Sequence, residues 1–218
     1  MVERPRAVVL DFDGVVVDSV DVKTRGFESV FSGEDPALVA LILDYHRAHN
    51  GISRYEKFRW AYREVLRRPL TPEAEAELGA RYNRLVEDAV VAAAWLPGAR
   101  DFIASRPAPL YVASGTPETE LRRIVSRRGL DGAFDGVYGA PTLKAPILEK
   151  IASSLGAPAS ALAMIGDAMT DHDAARDAGA RFIGIVAPGL ENPFPAGTEL
   201  LPDLTALAQA LGFAAVKR

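Results

Sequence analysis

The apolar residues of this chain follow two patterns, one typical of buried strands and the other typical of amphipathic helices. Ala7–Leu10 is a short, continuous apolar run, which predicts a parallel strand that is buried on both faces. After Trp95, similar short runs alternate with helical spacings of apolar residues, and they predict strands at 109–113, 137–138, 161–165 and 181–186. This alternation of strand and helix predicts an α/β fold with a doubly wound parallel sheet.

Residues 20–93 carry only the helical pattern. It predicts helices at 18–31, 37–48, 54–67 and 71–94, the last with Thr71 as N-cap and Pro72 as its first residue. Other helices are expected around the later strands, at 99–105, 118–128, 144–155, 171–178 and 204–211. Because one strand precedes the helical block and the others follow it, we expect a core domain of residues 1–18 and 95–218, interrupted by an all-α domain of residues 19–94.

Two carboxylates, Asp11 and Asp13, follow the first predicted strand and precede Gly14. Ligands of open α/β sheets bind at this end of the strands. Side chains at positions i and i+2 of an extended backbone point the same way, so the two charges repel unless a cation lies between them or one carboxyl is protonated. Such a pair can supply a nucleophile and a general acid/base beside Mg²⁺. The alternative is a polar turn that happens to contain two Asp.

A hydroxyl-rich segment, Ser114-Gly115-Thr116, ends the second predicted strand just before a helix. Hydroxyls beside the free N–H groups of a helix N-terminus favour phosphate binding. The alternative is simple N-capping by Thr116. Lys144 precedes another helix and would neutralise phosphate oxygens as a point charge, although a solvated surface lysine is the alternative interpretation.

A second acidic pair, Asp167 and Asp171, follows the apolar run at 161–165. In a parallel sheet this pair would lie at the same edge as the first. Crowded like charges cost free energy unless a cation neutralises them. The two pairs together therefore predict a metal site.

Composition and charge narrow the range of partners. The chain has 218 residues, a formal net charge of −4 and no cysteine. The negative charge argues against a nucleic-acid-binding surface, which needs a basic stripe. Without cysteine, disulfides, thiolate metal sites and cysteine nucleophiles are excluded. No apolar run approaches the roughly 18 residues of a membrane span, and no signal peptide is evident. We therefore expect a cytoplasmic protein with no nucleic-acid or membrane partner.

Four segments in the order D-F-D-G-V-V-V-D-S, S-G-T, Lys144 and G-D-A-M-T-D resemble the four motifs of the haloacid dehalogenase-like (HAD) hydrolases. The helical insertion after the first segment looks like the C1-type cap of that family, as found in its phosphoglycolate phosphatase and beta-phosphoglucomutase-like members. The resemblance implies a Rossmann-like core, a mobile helical cap over the carboxyl ends of the strands, and Mg²⁺ as cofactor.

The resemblance also implies a role for each motif carboxylate. Asp11 would be the nucleophile that forms an aspartyl-phosphate. Asp13 would protonate the leaving oxygen and then activate water, and its backbone carbonyl would bind Mg²⁺. Asp167 would bind Mg²⁺ directly, and Asp171 would bind it through water or support the metal shell.

Phosphate binding falls, by the same resemblance, to Ser114, Gly115 and Lys144. In the family the motif lysine is usually followed by proline, whereas Ala145 follows Lys144 here. Lys150 is therefore the alternative for this role.

The resemblance implies a Mg²⁺-dependent phosphatase that hydrolyses a small phosphorylated metabolite. Asp13 argues against dehalogenase chemistry, because the family's C2-halogen dehalogenases lack an acid at that position. Sugar-phosphate mutases of this class tend to carry a histidine where Lys23 stands, so hydrolysis is favoured and a mutase is the alternative. Phosphonate cleavage through a cap lysine, Lys23 or Lys57, is a further possibility. A non-catalytic HAD-like binding protein is disfavoured because no motif acid is missing.

Substrate choice is expected to reside in residues 46–59, the densest run of donors in the helical insertion. The candidates there are His46, His49, Arg54 and Lys57, with Lys23 nearby in the preceding helix. Arg54 is the stronger candidate because its planar guanidinium can bind a carboxylate or two hydroxyls at once. The alternative is a solvated helix connection.

Overall fold

The computed structural model describes residues 3–214, which contain one six-stranded sheet. The strands are β1 (Ala7–Leu10), β2 (Leu110–Pro117), β3 (Gly136–Ala140), β4 (Leu162–Gly166), β5 (Arg181–Ile185) and β6 (Leu200–Leu201). All neighbouring strands pair in parallel, in the order β3-β2-β1-β4-β5-β6. The predicted α/β fold with a parallel sheet is confirmed, and β1 lies inside the sheet between β2 and β4.

Nine α-helices accompany the sheet in the described residues. They are α1 (Val20–Val30), α2 (Pro36–Ala48), α3 (Arg54–Trp60), α4 (Pro72–Ala92), α5 (Ala99–Ser105), α6 (Glu118–Arg127), α7 (Lys144–Ser154), α8 (Met169–Ala178) and α9 (Leu207–Ala210). Within the described part of the chain, residues 20–92 contain helices and turns but no strand. None of the described helices is both long and apolar enough to cross a membrane.

The two sides of β1 explain why its sequence is apolar without alternation. Val8 and Leu10 pack in one hydrophobic cluster, and Ala7 and Val9 pack in another on the opposite face; all four are fully buried. The second cluster is covered by α7 and α8. A strand with helices on both faces has no solvent-facing side chains, so polar residues can appear only at its end.

The strand β6 was not predicted, and three elements differ from prediction by several residues in their bounds. The strand expected at 109–113 continues to Pro117, because residues 113–117 keep pairing with β3 through an irregular register. The helix expected over 54–67 ends at Trp60 and passes into a π-helical turn, Ala61–Val65. The helix expected over 204–211 is reduced to α9, Leu207–Ala210.

The helices α1 to α4 lie against the carboxyl ends of the strands. Phe27, Phe58 and Tyr82 form their aromatic centre, with the Phe27 ring centroid 5.3 Å from that of Phe58 and 5.1 Å from that of Tyr82. The hydroxyl of Thr170, on α8, donates a hydrogen bond to the Asn50 carbonyl over 3.1 Å. Segment 50–54 thus reaches the sheet edge. The domain limits 1–18, 19–94 and 95–218 stay a prediction, and residues 1–2 and 215–218 lie outside the described part.

Candidate active site

Asp11 follows β1 directly, and its side chain is almost completely buried, with 3% of the residue exposed. The Phe12 backbone N–H donates to its Oδ1 over 2.6 Å, and Lys144 Nζ donates to its Oδ2 over 2.9 Å. Both carboxylate oxygens therefore have defined donors. Because β1 lies inside the sheet, the same strand that buries its apolar residues places Asp11 at the centre of the sheet edge.

Lys144 is the first residue of α7 and links two carboxylates. Its Nζ lies 2.9 Å from Asp11 Oδ2 and 2.6 Å from Asp171 Oδ1. Burial alone would lower the pKa of this ammonium, but the two carboxylates raise the pKa above the usual lysine value, so Lys144 stays protonated. Lys150 lies elsewhere, with its Nζ 4.7 Å from the centroid of the Tyr138 ring. The structure thus brings Lys144, and not Lys150, to the carboxylates.

Asp11, Asp167 and Asp171 form a three-carboxylate group at this edge. One carboxylate oxygen from each residue lies within 4.8 Å of those of the other two. Burial raises the pKa of Asp167 well above its ordinary value and that of Asp171 to about 7, and the negative charge of Asp11 adds to both shifts. Three carboxylates face one ammonium, that of Lys144. Hard oxygen ligands with excess negative charge suit a divalent cation, so this group can bind a metal ion.

Two glycines allow the carboxylates to lie this close to the backbone. A Cβ added to Gly14 would lie 2.1 Å from Asp167 Oδ2, and one added to Gly166 would lie 2.2 Å from the Cβ of Asp171. Gly14 also has φ of +78°, in the left-handed region that favours glycine. Any side chain at either position would displace a carboxylate of the group.

Asp13 lies beside this group in its own network. Ser19 Oγ donates to Asp13 Oδ1 over 2.6 Å, while Oδ2 accepts from Lys23 Nζ and from Thr116 Oγ1, the latter over 3.2 Å. Burial by itself would raise the pKa of Asp13, but the Lys23 charge and these hydrogen bonds bring the pKa below its ordinary value. Asp13 is therefore a carboxylate in this arrangement.

Ser114, Gly115 and Thr116 lie within the last residues of β2, directly before α6, as predicted. The N-cap position of α6 is Pro117, so Thr116 does not cap the helix; its hydroxyl bonds Asp13 instead. Ser114 is buried, and its Oγ accepts the Thr116 N–H over 3.1 Å. A Cβ on Gly115 would lie 2.3 Å from the Gly51 carbonyl oxygen, so the helical segment touches this loop.

A cavity of about 60 Å³ lies between the sheet edge and helices α1 to α4. Most of the residues predicted for chemistry and recognition line it. The lining comprises Asp11, Asp13, Val20, Lys23, Phe27, His46, Asn50, Gly51, Ile52, Arg54, Lys57, Tyr82, Ser114, Gly115, Thr116 and Asp167. His49 does not belong to it: this residue is exposed and its ring stacks on Tyr45, with the centroids 3.9 Å apart.

Three cations of the helical segment line this cavity, and two of them pair with acids of the sheet part. Lys23 pairs with Asp13. Arg54 NH2 lies 2.6 Å from Glu120 Oε1, both side chains being buried, and the guanidinium lies 4.5 Å from the Tyr82 ring centroid. Lys57 contacts His46, over 3.1 Å to its Nδ1.

Three residues that contact side chains of this site were not among the predicted candidates: Ser19, Glu120 and Tyr82. Ser19 stands inside the first recognised segment, so its position gave a usable signal. Glu120 lies 66 residues from its partner Arg54, and Tyr82 packs into the site from the middle of α4. No local pattern marks either of these two.

Comparisons with known proteins agree with this geometry. The family model described as haloacid dehalogenase-like hydrolase matches residues 5–179. A phosphoglycolate phosphatase from Synechococcus elongatus is 30% identical over 186 residues, covering 80% of this chain and 80% of that protein.

Solved structures support the fold. CbbY from Rhodobacter sphaeroides, solved in complex with phosphate, superposes with a TM-score of 0.68 at 22% identity, over 93% of this chain and 96% of that one. A beta-phosphoglucomutase from Clostridium difficile gives a TM-score of 0.73 at 17% identity, covering 93% of each chain. The family match and the 30%-identical relative show that the chain belongs to the haloacid dehalogenase-like hydrolase family and is a phosphatase-like enzyme.

Proposed function

We propose that this enzyme is a Mg²⁺-dependent phosphatase that hydrolyses a small phosphomonoester through a phosphorylated Asp11. The observation that carries the proposal is the position of Asp11. Its buried carboxylate belongs to the three-carboxylate group, is paired with Lys144, and faces the same cavity as Asp13 and the Ser114–Thr116 loop. The similarity to a phosphoglycolate phosphatase supports the same reaction class.

In the first step Asp11 attacks the phosphorus, so that a bond from Asp11 oxygen to phosphorus forms while the bond from phosphorus to the leaving oxygen breaks. Asp13 donates a proton to that leaving oxygen, which departs as an alcohol. In the second step Asp13 takes a proton from water as the water oxygen attacks the phosphorus. Inorganic phosphate leaves, and the Asp11 carboxylate is restored.

Lys23 must shift during the first step. Its ion pair keeps the pKa of Asp13 low, which suits the base role in the second step but opposes the acid role in the first. An incoming phosphoryl group offers Lys23 a competing partner. When Lys23 turns toward it, Asp13 can hold a proton for the leaving oxygen.

The phosphoryl oxygens are bound by Ser114, the Gly115 backbone and Lys144 in this proposal. Phosphoryl transfer mainly requires in-line placement and neutralisation of oxygen charge. Lys144 supplies a fixed positive charge beside the nucleophile because two carboxylates raise its pKa. Gly115 lines the cavity beside Ser114, where its backbone N–H is proposed to donate to a phosphoryl oxygen.

Asp11, Asp167 and Asp171 would bind the Mg²⁺, whose charge offsets that of the phosphoryl oxygens and the crowded carboxylates. The residues fit this ion because all three offer oxygen ligands within 4.8 Å of one another, and among the described residues Lys144 is the one cation that pairs with them. The backbone carbonyl of Asp13 is proposed as a further ligand. Asp171, already bonded to Lys144, is proposed to act through water or as a support for the metal shell.

We propose that residues 19–94 act as the cap over this site. Support comes from three contacts that join the helices to the sheet edge: Asn50 with Thr170, Gly51 with Gly115, and Arg54 with Glu120. In this arrangement the cap excludes most water from the cavity, which strengthens the electrostatic interactions there.

The test is release of inorganic phosphate from a panel of phosphorylated metabolites, with Mg²⁺ and after its complete removal. We expect turnover that disappears on chelation and returns with Mg²⁺. Mg²⁺ should also raise the melting temperature of the wild type, and Asp167→Asn should lose that stabilisation because it removes a ligand. Undiminished turnover without metal would contradict the proposal. Accumulation of an isomeric sugar phosphate without phosphate release would instead identify a mutase.

A further inference from the structure

The three cations that line the cavity differ in how their charge is balanced. Lys23 has Asp13 and Arg54 has Glu120, whereas Lys57 has no carboxylate within 4.0 Å among the residues that the structure describes. Only 5% of Lys57 is exposed, so water compensates little of its charge. A buried cation without a counterion is costly, and burial lowers the pKa of Lys57 to about 7, helped by the charge of Lys23.

The protein gives Lys57 only neutral partners, and most of them belong to one residue. Its Nζ lies 3.1 Å from both His46 Nδ1 and the His46 carbonyl oxygen, and 5.6 Å from the centroid of the Phe27 ring. Burial lowers the pKa of His46 to about 3, so its ring is neutral at physiological pH. These contacts orient the ammonium without neutralising it.

His46 has its own unsatisfied atom. A neutral imidazole has one donor nitrogen and one acceptor nitrogen. When protonated Lys57 donates to Nδ1, the ring proton belongs to Nε2, which becomes a donor. Nε2 is buried and has no hydrogen-bond partner within the described residues. Both residues line the cavity, where Lys57 has a charge without a counterion and His46 Nε2 has a proton without an acceptor.

The size of the cavity limits what can supply that acceptor. At roughly 10–15 Å³ for each enclosed water, 60 Å³ corresponds to about four to six waters. That is enough for a phosphoryl group with a leaving group of a few atoms. A larger cavity of about 230 Å³ adjoins it beyond Gly51; Lys144 lines it, but so do three acids, Glu56, Asp173 and Asp177, which outnumber that cation and disfavour a further anion.

We propose that Lys57 Nζ and His46 Nε2 bind a carboxylate on the leaving group, which makes phosphoesters of short hydroxy acids the preferred substrate class. The inference rests on the phosphatase activity proposed above. A carboxylate has two oxygens and a full negative charge, so it satisfies both donors and balances Lys57 at once. The geometry favours Lys57 over Arg54 for this role, because Glu120 already neutralises Arg54.

The test compares two esters of equal chain length, 2-phosphoglycolate and 2-hydroxyethyl phosphate, which differ in the terminal carboxylate. Lys57→Met removes the charge and keeps the length of the side chain. We expect kcat/KM for phosphoglycolate to fall about 10- to 100-fold, and that for hydroxyethyl phosphate by less than about threefold. His46→Phe keeps a ring against Phe27 and should lower only the phosphoglycolate value, by about tenfold. Lys150→Met, the same substitution outside the cavity, should change neither.

A second readout separates recognition from support of the fold. If Lys57 serves binding at the expense of stability, Lys57→Met should raise the melting temperature, because it removes an uncompensated buried charge. Equal losses on both esters together with a lower melting temperature would overturn the inference in favour of a structural role. A wild type that prefers the neutral ester, or a Lys57→Met protein unchanged on both, would also overturn it. Phosphate release from none of the panel esters would instead refute the phosphatase proposal.

Discussion

Two buried groups of opposite charge face each other across the cavity, and they are built differently. The anionic group at the sheet edge consists of Asp11, Asp167 and Asp171 around Lys144. The cationic group on the helical segment consists of Lys23, Arg54 and Lys57. The first has fewer cations than its charge requires. In the second group, Lys23 pairs with Asp13 and Arg54 pairs with Glu120, whereas Lys57 has no carboxylate partner in the part of the chain that the structure describes.

The difference indicates a division of work. Asp11 and Asp167 directly follow β1 and β4, two paired strands that cannot move apart without breaking the sheet, and Asp171 lies in the first turn of α8. This arrangement suits chemistry that needs fixed geometry. The helical segment meets that edge mainly through side chains and loop backbone. Its cations can exchange partners when a substrate arrives, which suits recognition.

Asp11→Asn, a substitution in the anionic group, should cause the largest loss of activity. The amide is a poor nucleophile, so we expect phosphate release to fall by more than about 10⁴-fold, while the fold stays intact because the volume hardly changes. Steady-state phosphate release and the melting curve measure the two quantities. Asp21→Asn, the same change at an exposed position of α1, serves as the control. Near-normal turnover by Asp11→Asn would exclude a covalent Asp11 intermediate.

Asp13→Asn tests the residue that joins the two groups. Loss of the acid/base should lower kcat by about 10²- to 10⁴-fold. The loss should be smaller for an ester whose leaving group needs no proton, such as p-nitrophenyl phosphate, because the first step then no longer depends on Asp13. An equal fold decrease in kcat for both esters would argue against proton transfer from Asp13 to the leaving oxygen.

Glu120→Gln tests whether the ion pair between Glu120 and Arg54 stabilises the folded protein. The substitution leaves Arg54 buried without a counterion, and breaking a buried ion pair costs about 3–5 kcal/mol. We expect the free energy of unfolding in urea to fall by a similar amount. Arg54→Met/Glu120→Met removes both charges and should be more stable than the single variant. If Glu120→Gln is as stable as wild type, the pair is not a buried interaction in solution.

The pH dependence of stability isolates Lys57, and its free-energy change per pH unit is the smallest of these effects. Its pKa is about 7 in the folded protein against an ordinary 10.5, so between these values the unfolded chain binds a proton that the folded protein does not. Stability should therefore rise from pH 7 to 10, by up to about 1.4 kcal/mol per pH unit. Lys23, His46 and Arg54 line the same cavity and can also titrate. Because wild type and Lys57→Met both contain them, the difference between the two proteins reports Lys57.

Urea unfolding at several pH values measures this slope. Lys57→Met should lack the Lys57 contribution, whereas Lys150→Met should keep it. Parallel curves for wild type and Lys57→Met would mean that Lys57 titrates normally and that its charge is compensated.

Local pattern was sufficient to predict the sheet edge, and it was insufficient for the contacts across the cavity. The apolar run Ala7–Leu10 predicted a strand buried on both faces, and such a strand must present its next polar residue, Asp11, at the sheet edge. Thr71 accepts the Ala74 N–H, so the N-cap predicted for α4 is confirmed. The sequence also left Lys144 and Lys150 as alternatives for the motif lysine. Only the path of α7 places the first at Asp11 and the second over Tyr138.

The amino-acid sequence alone therefore predicts the α/β class, the positions of most elements and the carboxylates Asp11 and Asp167 that follow two of the strands. These follow from the order of apolar and polar residues over a few positions, because burial of a strand or a helix face is a local requirement. The folded arrangement was needed to show that Glu120 neutralises Arg54 and that Thr116 bonds Asp13. It was also needed to show that His49 lies outside the cavity and that Lys57 has no carboxylate partner among the described residues. Charge balance depends on distances between residues far apart in the chain, and packing alone sets those distances.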